Sequence, residues 1–191
     1  MAKPGTYDPE SLSLSGKPVQ TARLRLRPFE AGDAHAFWLM ASNPNVMRFI
    51  PRDLATDEKA EKARFMDDLR AGQRFRFLYA VTWKDAAADA RDGMLGWVKM
   101  TPTEDGRFVE LGYWYREEFW GMGLAIEAGH AVLEAAMADL NLPWCDVYAY
   151  VLQGNHASRK LLTKLGLEYR RDRVIGGNQT WELYGPGAET Y

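Results

Sequence analysis

Residues 108–128 read FVELGYWYREEFWGMGLAIEA. The first eight are rich in β-branched and aromatic side chains and predict a strand. A short turn with two glycines follows, and a helix starts at once behind it. The chemistry of such a junction is specific. The first-turn amides of a helix have no partner inside the helix. The helix dipole adds roughly half a positive charge at that end. Glycines at 121 and 123 permit positive φ and a close approach of backbone to an anion. Together these features suit a phosphate or pyrophosphate. Two common nucleotide motifs fail on residues. A dinucleotide fingerprint needs a third glycine where Ile126 stands, and a P-loop needs Gly-Lys-Ser/Thr, which occurs nowhere in the chain. On its own, Gly-x-Gly is a weak signal, equally compatible with a turn that serves only chain geometry.

The helix is expected to run to about Leu140. Its small and apolar positions Ala125, Ala128, Val132, Ala135 and Ala136 recur at spacings of three and four. Asn141-Leu142-Pro143 stops it. Upstream, Met94–Met100 and Phe108–Tyr115 read as a hairpin joined by the Thr101–Arg107 turn. Lys84–Gly93 reads as a polar, alanine-rich connection. Phe75, Phe77, Tyr79, Val81 and Trp83 alternate along a strand with an aromatic face. Thr56 or Asp57 can cap a helix to about Leu69. Asp33 can cap one to about Met40. Arg23-Leu24-Arg25-Leu26-Arg27 alternates strictly, as an early strand near an edge does. Downstream, Trp144–Val151 reads as a strand and Asn155–Leu165 as a short helix closed by Gly166. Strands near Leu167–Arg171 and Thr180–Tyr184 finish the pattern. This order predicts a mixed α/β sheet with helices on its faces.

A chain of 191 residues accommodates one well-cored domain and is short for two. A formal net charge of −2 lacks the basic excess of a nucleic-acid binder. The lone cysteine, Cys145, makes no internal disulfide. No apolar run approaches a signal peptide or a membrane span. The expectation is a cytoplasmic protein with no membrane or direct nucleic-acid partner. Three scattered histidines offer no metal-ligand spacing, so no metal is expected.

The run Leu111-Gly112-Tyr113-Trp114, then Phe119-Trp120-Gly121-Met122-Gly123-Leu124-Ala125, then Glu127-Ala128, resembles the coenzyme A segment of GNAT acetyltransferases. It looks most like the branch of the ribosomal-protein N-terminal acetyltransferases (RimJ/RimL-like). Asn155-His156-Ala157-Ser158, Leu161-Leu162 and Lys164-Leu165-Gly166-Leu167 resemble that branch's second signature. Leu24-Arg25-Leu26-Arg27-Pro28 with Asp33 resembles its opening. The resemblance spans about residues 21–185, between an extension at 1–20 and a tail at 186–191. It implies a mixed, mostly antiparallel twisted sheet of about seven strands and about four helices, with the fourth and fifth strands splayed. Glu118 departs from the Gln or Arg usual before the first glycine. Leu162 stands where many relatives carry a general-acid tyrosine. Leu167 replaces a phenylalanine.

The resemblance implies acetyl-CoA as co-substrate and direct attack by a primary amine in a ternary complex. Backbone amides of Phe119, Trp120, Gly121, Met122, Gly123, Leu124 and Ala125 would take the pyrophosphate. Tyr113, Trp114 and Tyr115 would line the gap for the pantetheine arm, with Asn155 opposite. An amide near Leu111–Tyr113 would polarise the thioester carbonyl. Deprotonating a lysine at pH 7 costs roughly 4.6 kcal/mol, an α-amine about 1.4. An N-terminal acceptor therefore needs only a weak base. Glu110 is the candidate base, with a cross-hairpin pair to Lys99 as the alternative role. Ser158 is the candidate acid for the thiolate, with helix-start hydrogen bonding as its alternative. The acceptor expected is a protein or peptide N-terminus. A small amine (amino acid, polyamine or antibiotic) stays open, as does a non-catalytic coenzyme A-binding regulator. A homodimer is compatible with the family.

Other residues carry weaker expectations. Cys145 reads as a buried strand thiol. Arg23, Arg25 and Arg27 read as a solvated face. Arg159, Lys160 and Lys164 either reach coenzyme phosphates or face water. Trp38, Phe49 and Trp97 read as core before pocket. The resemblance implies acceptor selection by about Phe37–Arg52, Phe75–Tyr79 and Arg173–Gln179.

Overall fold

The computed structural model describes residues 18–71, 78–102, 108–139, 142–175 and 179–187. Phe75, Phe77, the turn residues 103–107, Asn141 and residues 176–178 lie outside this set, as do the first seventeen residues and the last four. Eight strands form one sheet: β1 (Val19–Gln20), β2 (Leu24–Arg27), β3 (Leu78–Trp83), β4 (Gly96–Pro102), β5 (Val109–Tyr115), β6 (Val147–Leu152), β7 (Leu167–Ile175) and β8 (Gln179–Pro186). Their spatial order is β1-β2-β3-β4-β5-β6-β8-β7. Every neighbouring pair is antiparallel except β5 and β6. A parallel pair needs a long crossover, and the helix after the glycine turn supplies it. The extra strand beyond the expected seven is β1, which pairs Val19 with Leu26 inside the supposed extension.

The helices are α1 (Ala34–Ala41), α2 (Pro44–Met47), α3 (Glu58–Ala71), α4 (Ala86–Asp92), α5 (Leu124–Asp139) and α6 (His156–Lys164). Six replace the expected four for local reasons. Asn43 ends α1, but its side chain also accepts from the amides of Asn45 and Val46 and so caps α2. The alanine-rich connection is itself helical. Asp85 accepts from the Ala88 amide, and Gly93 closes α4 at φ 62°. Asp57 caps α3 through the Ala60 amide at 3.0 Å.

Further expectations are corrected. Asp33 does not cap α1 through its side chain. Its carboxylate instead accepts two 2.8 Å bonds from Arg27 and one from the Glu30 amide, in a buried pair. Arg27 is therefore not part of a solvated face. Arg23 is exposed as expected, and it pairs with Glu127 at 2.7 Å. Trp144–Asp146 is a 3₁₀ turn set by Pro143, not the start of a strand. That turn leaves Cys145 exposed.

The sheet is sandwiched by two apolar clusters. On one face, Leu124, Ala128, Val132 and Ala136 of α5 pack on Leu26, Val98, Leu111 and Tyr115. Gly129 of α5 lets Leu165 approach, since a Cβ there would stand 2.8 Å from its Cδ1. On the other face, Phe37 of α1 and Phe65 of α3 meet at 5.2 Å, and Phe37 stacks on Trp114 of β5. Phe65 is only 1% exposed, and full burial of such a ring stabilises by about 1.5–3 kcal/mol. The two layers hold β5 from both sides, which fixes the strand that carries the site.

Candidate active site

Strand β5 keeps β4 along its whole length, with seven pairs from Gly96↔Tyr115 to Pro102↔Val109. It keeps β6 for only two, Val109↔Val147 and Glu110↔Tyr148. Beyond residue 110 the strands part. A cavity of about 500 Å³ opens there, lined by Glu110, Leu111, Gly112, Tyr113 and Trp114 on one side and Leu152, Asn155, Ser158 and Leu162 on the other. Phe37, Phe49, Arg52 and Trp97 close its far wall. Tyr115 is not in this lining. Its ring is buried over Gly96, where a Cβ would stand 2.5 Å from the ring. Trp97 is both core and wall, and Phe49 is wall.

Glu110 and Lys99 both line the cavity and pair at 3.0 Å through Oε1. Gly112 makes the pair possible. The Lys99 stem lies flat across it, with Cε 2.5 Å from where a Cβ would be. The cross-hairpin pair is thus present. Among the described residues, Oε2 of Glu110 has no partner.

Asn155 Oδ1 accepts from the Ser158 amide at 3.1 Å and caps α6. The Tyr113 hydroxyl reaches across the gap to Ser158 Oγ at 2.6 Å. Burial pushes the Tyr113 phenol far above its ordinary value, against the opposing effect of the Ser158 bond. It stays protonated at any physiological pH. Sequence spacing did not show this pair. The only hint was an aromatic residue facing the position vacated by the missing tyrosine at Leu162, which is buried in the lining.

At the end of β5 the chain makes a 3₁₀ turn, Glu117–Phe119. The Phe119 and Trp120 amides are already engaged there, donating to Arg116 and Glu117 carbonyls. Gly121 and Gly123 both take φ 76°. Among the described residues, the amides of Gly121 to Ile126 donate to no protein acceptor. The cradle therefore starts two residues later than expected. Side chains brace it from outside. Trp120 Nε1 donates to the Tyr115 carbonyl at 2.9 Å, and Arg116 to the Asp92 carbonyl at 2.6 Å. Asn43 and Asn45 hold Glu117 at 2.8 Å each. Arg23 bonds the Met122 carbonyl and Glu127, and Thr21 bonds Glu127 at 2.5 Å. Burial opposes ionisation of Glu127, but Thr21 and Arg23 outweigh it and hold the carboxyl below its usual range.

Arg159 is tied to Glu182, while Lys160 and Lys164 are exposed. Among the described residues no cluster of His, Cys, Asp or Glu stands ready for a metal ion. No described helix is long and apolar enough to cross a membrane.

The family model described as an acetyltransferase (GNAT) domain matches residues 23–168. The chain belongs to the GNAT family. It is an acetyltransferase, and the family's acyl donor is acetyl-CoA. The uncharacterized N-acetyltransferase YnaD of Bacillus subtilis (strain 168) is 25% identical over 169 residues, covering 87% of this chain and 93% of YnaD. A GNAT acetyltransferase structure from Bacillus anthracis superposes with TM-score 0.71 at 20% identity, covering 88% of this chain and 95% of that one. RimL, a ribosomal L7/L12 α-N-protein acetyltransferase solved with coenzyme A, superposes with TM-score 0.68 at 14% identity, covering 88% and 96%. At these identities the two structures share the GNAT fold with this chain.

Proposed function

We propose that this enzyme transfers acetyl from acetyl-CoA to the N-terminal α-amine of a polypeptide. The parting of β5 and β6 beyond Glu110, running straight into free amides at Gly121–Ala125, carries the reading. The pyrophosphate sits on those amides, where unpaired N–H groups and the helix dipole both favour it. The pantetheine arm lies in the gap beside Tyr113, Trp114 and Asn155. Amides of Leu111–Tyr113 that point away from β4 meet the thioester carbonyl.

The amine nitrogen attacks the carbonyl carbon, and the C–S bond breaks with its electron pair going to sulfur. Glu110 Oε2 takes the amine proton, directly or through water. An α-amine near pKa 8 demands little of it. Tyr113 donates to Ser158 Oγ, which turns the Ser158 proton toward the developing thiolate. A donor aimed at developing charge is worth more than one that follows it. Tyr113 acts through Ser158 and is a positioning residue. The RimL likeness supports a protein acceptor by fold alone.

Thiol release from acetyl-CoA tests this with free-N-terminal peptides, the same peptides N-terminally blocked but bearing lysine, free amino acids and a polyamine. Free N-termini should dominate in kcat/KM. Turnover confined to amino acids or polyamine would move the reading to a small-molecule acceptor.

A further inference from the structure

Resting on that reading, we infer that the acceptor is an acidic polypeptide, whose chain beyond the reactive amine crosses the open face of β6, β8 and β7 toward an arginine edge. The register places this track. Glu110 lies opposite Tyr148. Tyr150 lies opposite Leu183, and Leu183 opposite Arg171. Leu152 lies opposite Trp181, and Trp181 opposite Arg173. Residues two apart share a face of a sheet. Tyr148, Tyr150, Leu183, Arg171 and Arg173 therefore stand on the same face as Glu110.

Between Tyr169 and Arg171 the register slips by one residue. This bulge inserts Arg170, and a bulge re-aims side chains at an edge. Arg170 lies over Gly185, with Cγ and Nε each 3.6 Å from where a Cβ would be. Three arginines thus converge on one side. They line a second cavity of about 440 Å³ together with Phe108, Tyr148 and Tyr150. Tyr150 also lines the first cavity, so the two adjoin.

The arginines of this edge form no ion pair with a described carboxylate, although Glu168 shares their face opposite Gly185. Arg23, Arg27, Arg52, Arg91, Arg116 and Arg159 each hold a carboxylate. Among the described residues, Arg170, Arg171 and Arg173 hold none. Of the acids on β7, Asp172 points to the other face and accepts from the Tyr169 hydroxyl at 3.1 Å, and Glu168 lies against Gly187. A guanidinium binds a carboxylate through two parallel bonds, and a set of three attracts an acidic segment. The exposed ring of Phe108 and the half-buried rings of Tyr148 and Tyr150 supply an apolar floor between the two charged ends.

Reach sets the position of the acids. Three strand spacings of about 4.8 Å separate β5 from β7, roughly 14 Å. An extended chain covers about 3.3–3.6 Å per residue. The arginine edge therefore meets about the fourth to sixth residues of the acceptor.

The experiment uses peptides of one length and one first triplet, with Asp and Glu, Ser, or Lys at positions four to six. The wild type should prefer the acidic over the neutral peptide by tenfold or more in kcat/KM, mainly through KM, and half-molar salt should erase most of that ratio. In R171E/R173E, or in R171Q alone if the double variant loses its thermal shift with coenzyme A, the ratio should fall toward one or invert. The ratio is insensitive to general damage, which lowers both rates together. Equal rates for acidic and neutral peptides in the wild type would overturn the inference while leaving the N-terminal reading intact. So would a preference that survives both variants. Acetylation of small amines but of no peptide would remove both.

Discussion

The two halves of the proposed site are built from different materials. The coenzyme half, at Gly121–Ala125, is backbone, and side chains such as Arg23, Arg116 and Trp120 only hold it in shape. The acceptor half is side chain throughout: Glu110, Lys99, Arg52 and the edge of β7. Backbone binding asks for a shape and tolerates many sequences, as Glu118 illustrates. Side-chain binding asks for particular atoms at particular distances. Substitutions in the two halves should therefore fail differently, one in coenzyme affinity and the other in turnover or acceptor choice.

The largest expected effect lies in the acceptor half. Glu110→Gln keeps size and hydrogen bonding but removes the proposed base. Turnover should drop about a hundredfold, within the usual range for a general base. Coenzyme affinity by calorimetry should hardly move. An unchanged kcat across acceptors of rising amine pKa would take Glu110 out of the chemistry and leave it as Lys99's partner.

Next comes the coenzyme half. Nothing lies within 4 Å of a Cβ at Gly121, and only Arg23 Nη2, at 3.6 Å, does at Gly123. Space is no obstacle at either position; φ 76° is. A β-branched residue there costs about 1–2 kcal/mol. Gly123→Val should weaken coenzyme A about tenfold and leave kcat at saturation nearly intact. The opposite split, normal affinity with lost turnover, would break the division between the halves.

These contrasts also explain what the sequence made legible. Positive-φ glycines ahead of an amphipathic helix are a local feature, so the turn could be read from residues 108–128 alone. The same holds for α4, where Asp85 and Gly93 carried cap signals that the alanine run obscured. Partners far apart in the chain left no such trace. Arg23 and Glu127 are 104 residues apart, and Tyr113 and Ser158 are 45. Alternation labelled Arg27 solvated because it reports a face, not what stands opposite that face. Tyr115 was placed by proximity to the gap; it shares a face with Tyr113, but further along β5 its ring is buried over Gly96 within the apolar cluster under α5.

Tyr113→Phe sharpens the comparison, because this ring belongs to the gap between the halves. The ring remains and only the bond to Ser158 is lost. The expected result is about a tenfold fall in kcat with little change in either KM, smaller than for Ser158→Ala. Burial holds the wild-type phenol above its ordinary value near 10. No wild-type rate loss assignable to Tyr113 should therefore occur between pH 8 and 10. A limb in that range that vanishes in the Phe variant would show that the hydroxyl ionises there and is not a fixed donor.

The smallest effect concerns the brace of the coenzyme turn. Glu127 is held below its usual range by Thr21 and Arg23. A carboxyl depressed in the folded state lends stability above its unfolded value, about 4.3, and loses it as pH falls through the folded value. Glu127→Gln should lower Tm by a few degrees near neutrality. Once the pH has fallen below the lowered folded value the variant and wild type should converge, because protonation then does to Glu127 what the substitution does. The pair with Arg23 is about half exposed on the arginine side, so salt should shrink the neutral-pH difference too. A Tm gap that persists unchanged into acid would assign the effect to the lost shape of the contact, not to its charge. The backbone cradle would then owe its form to packing alone.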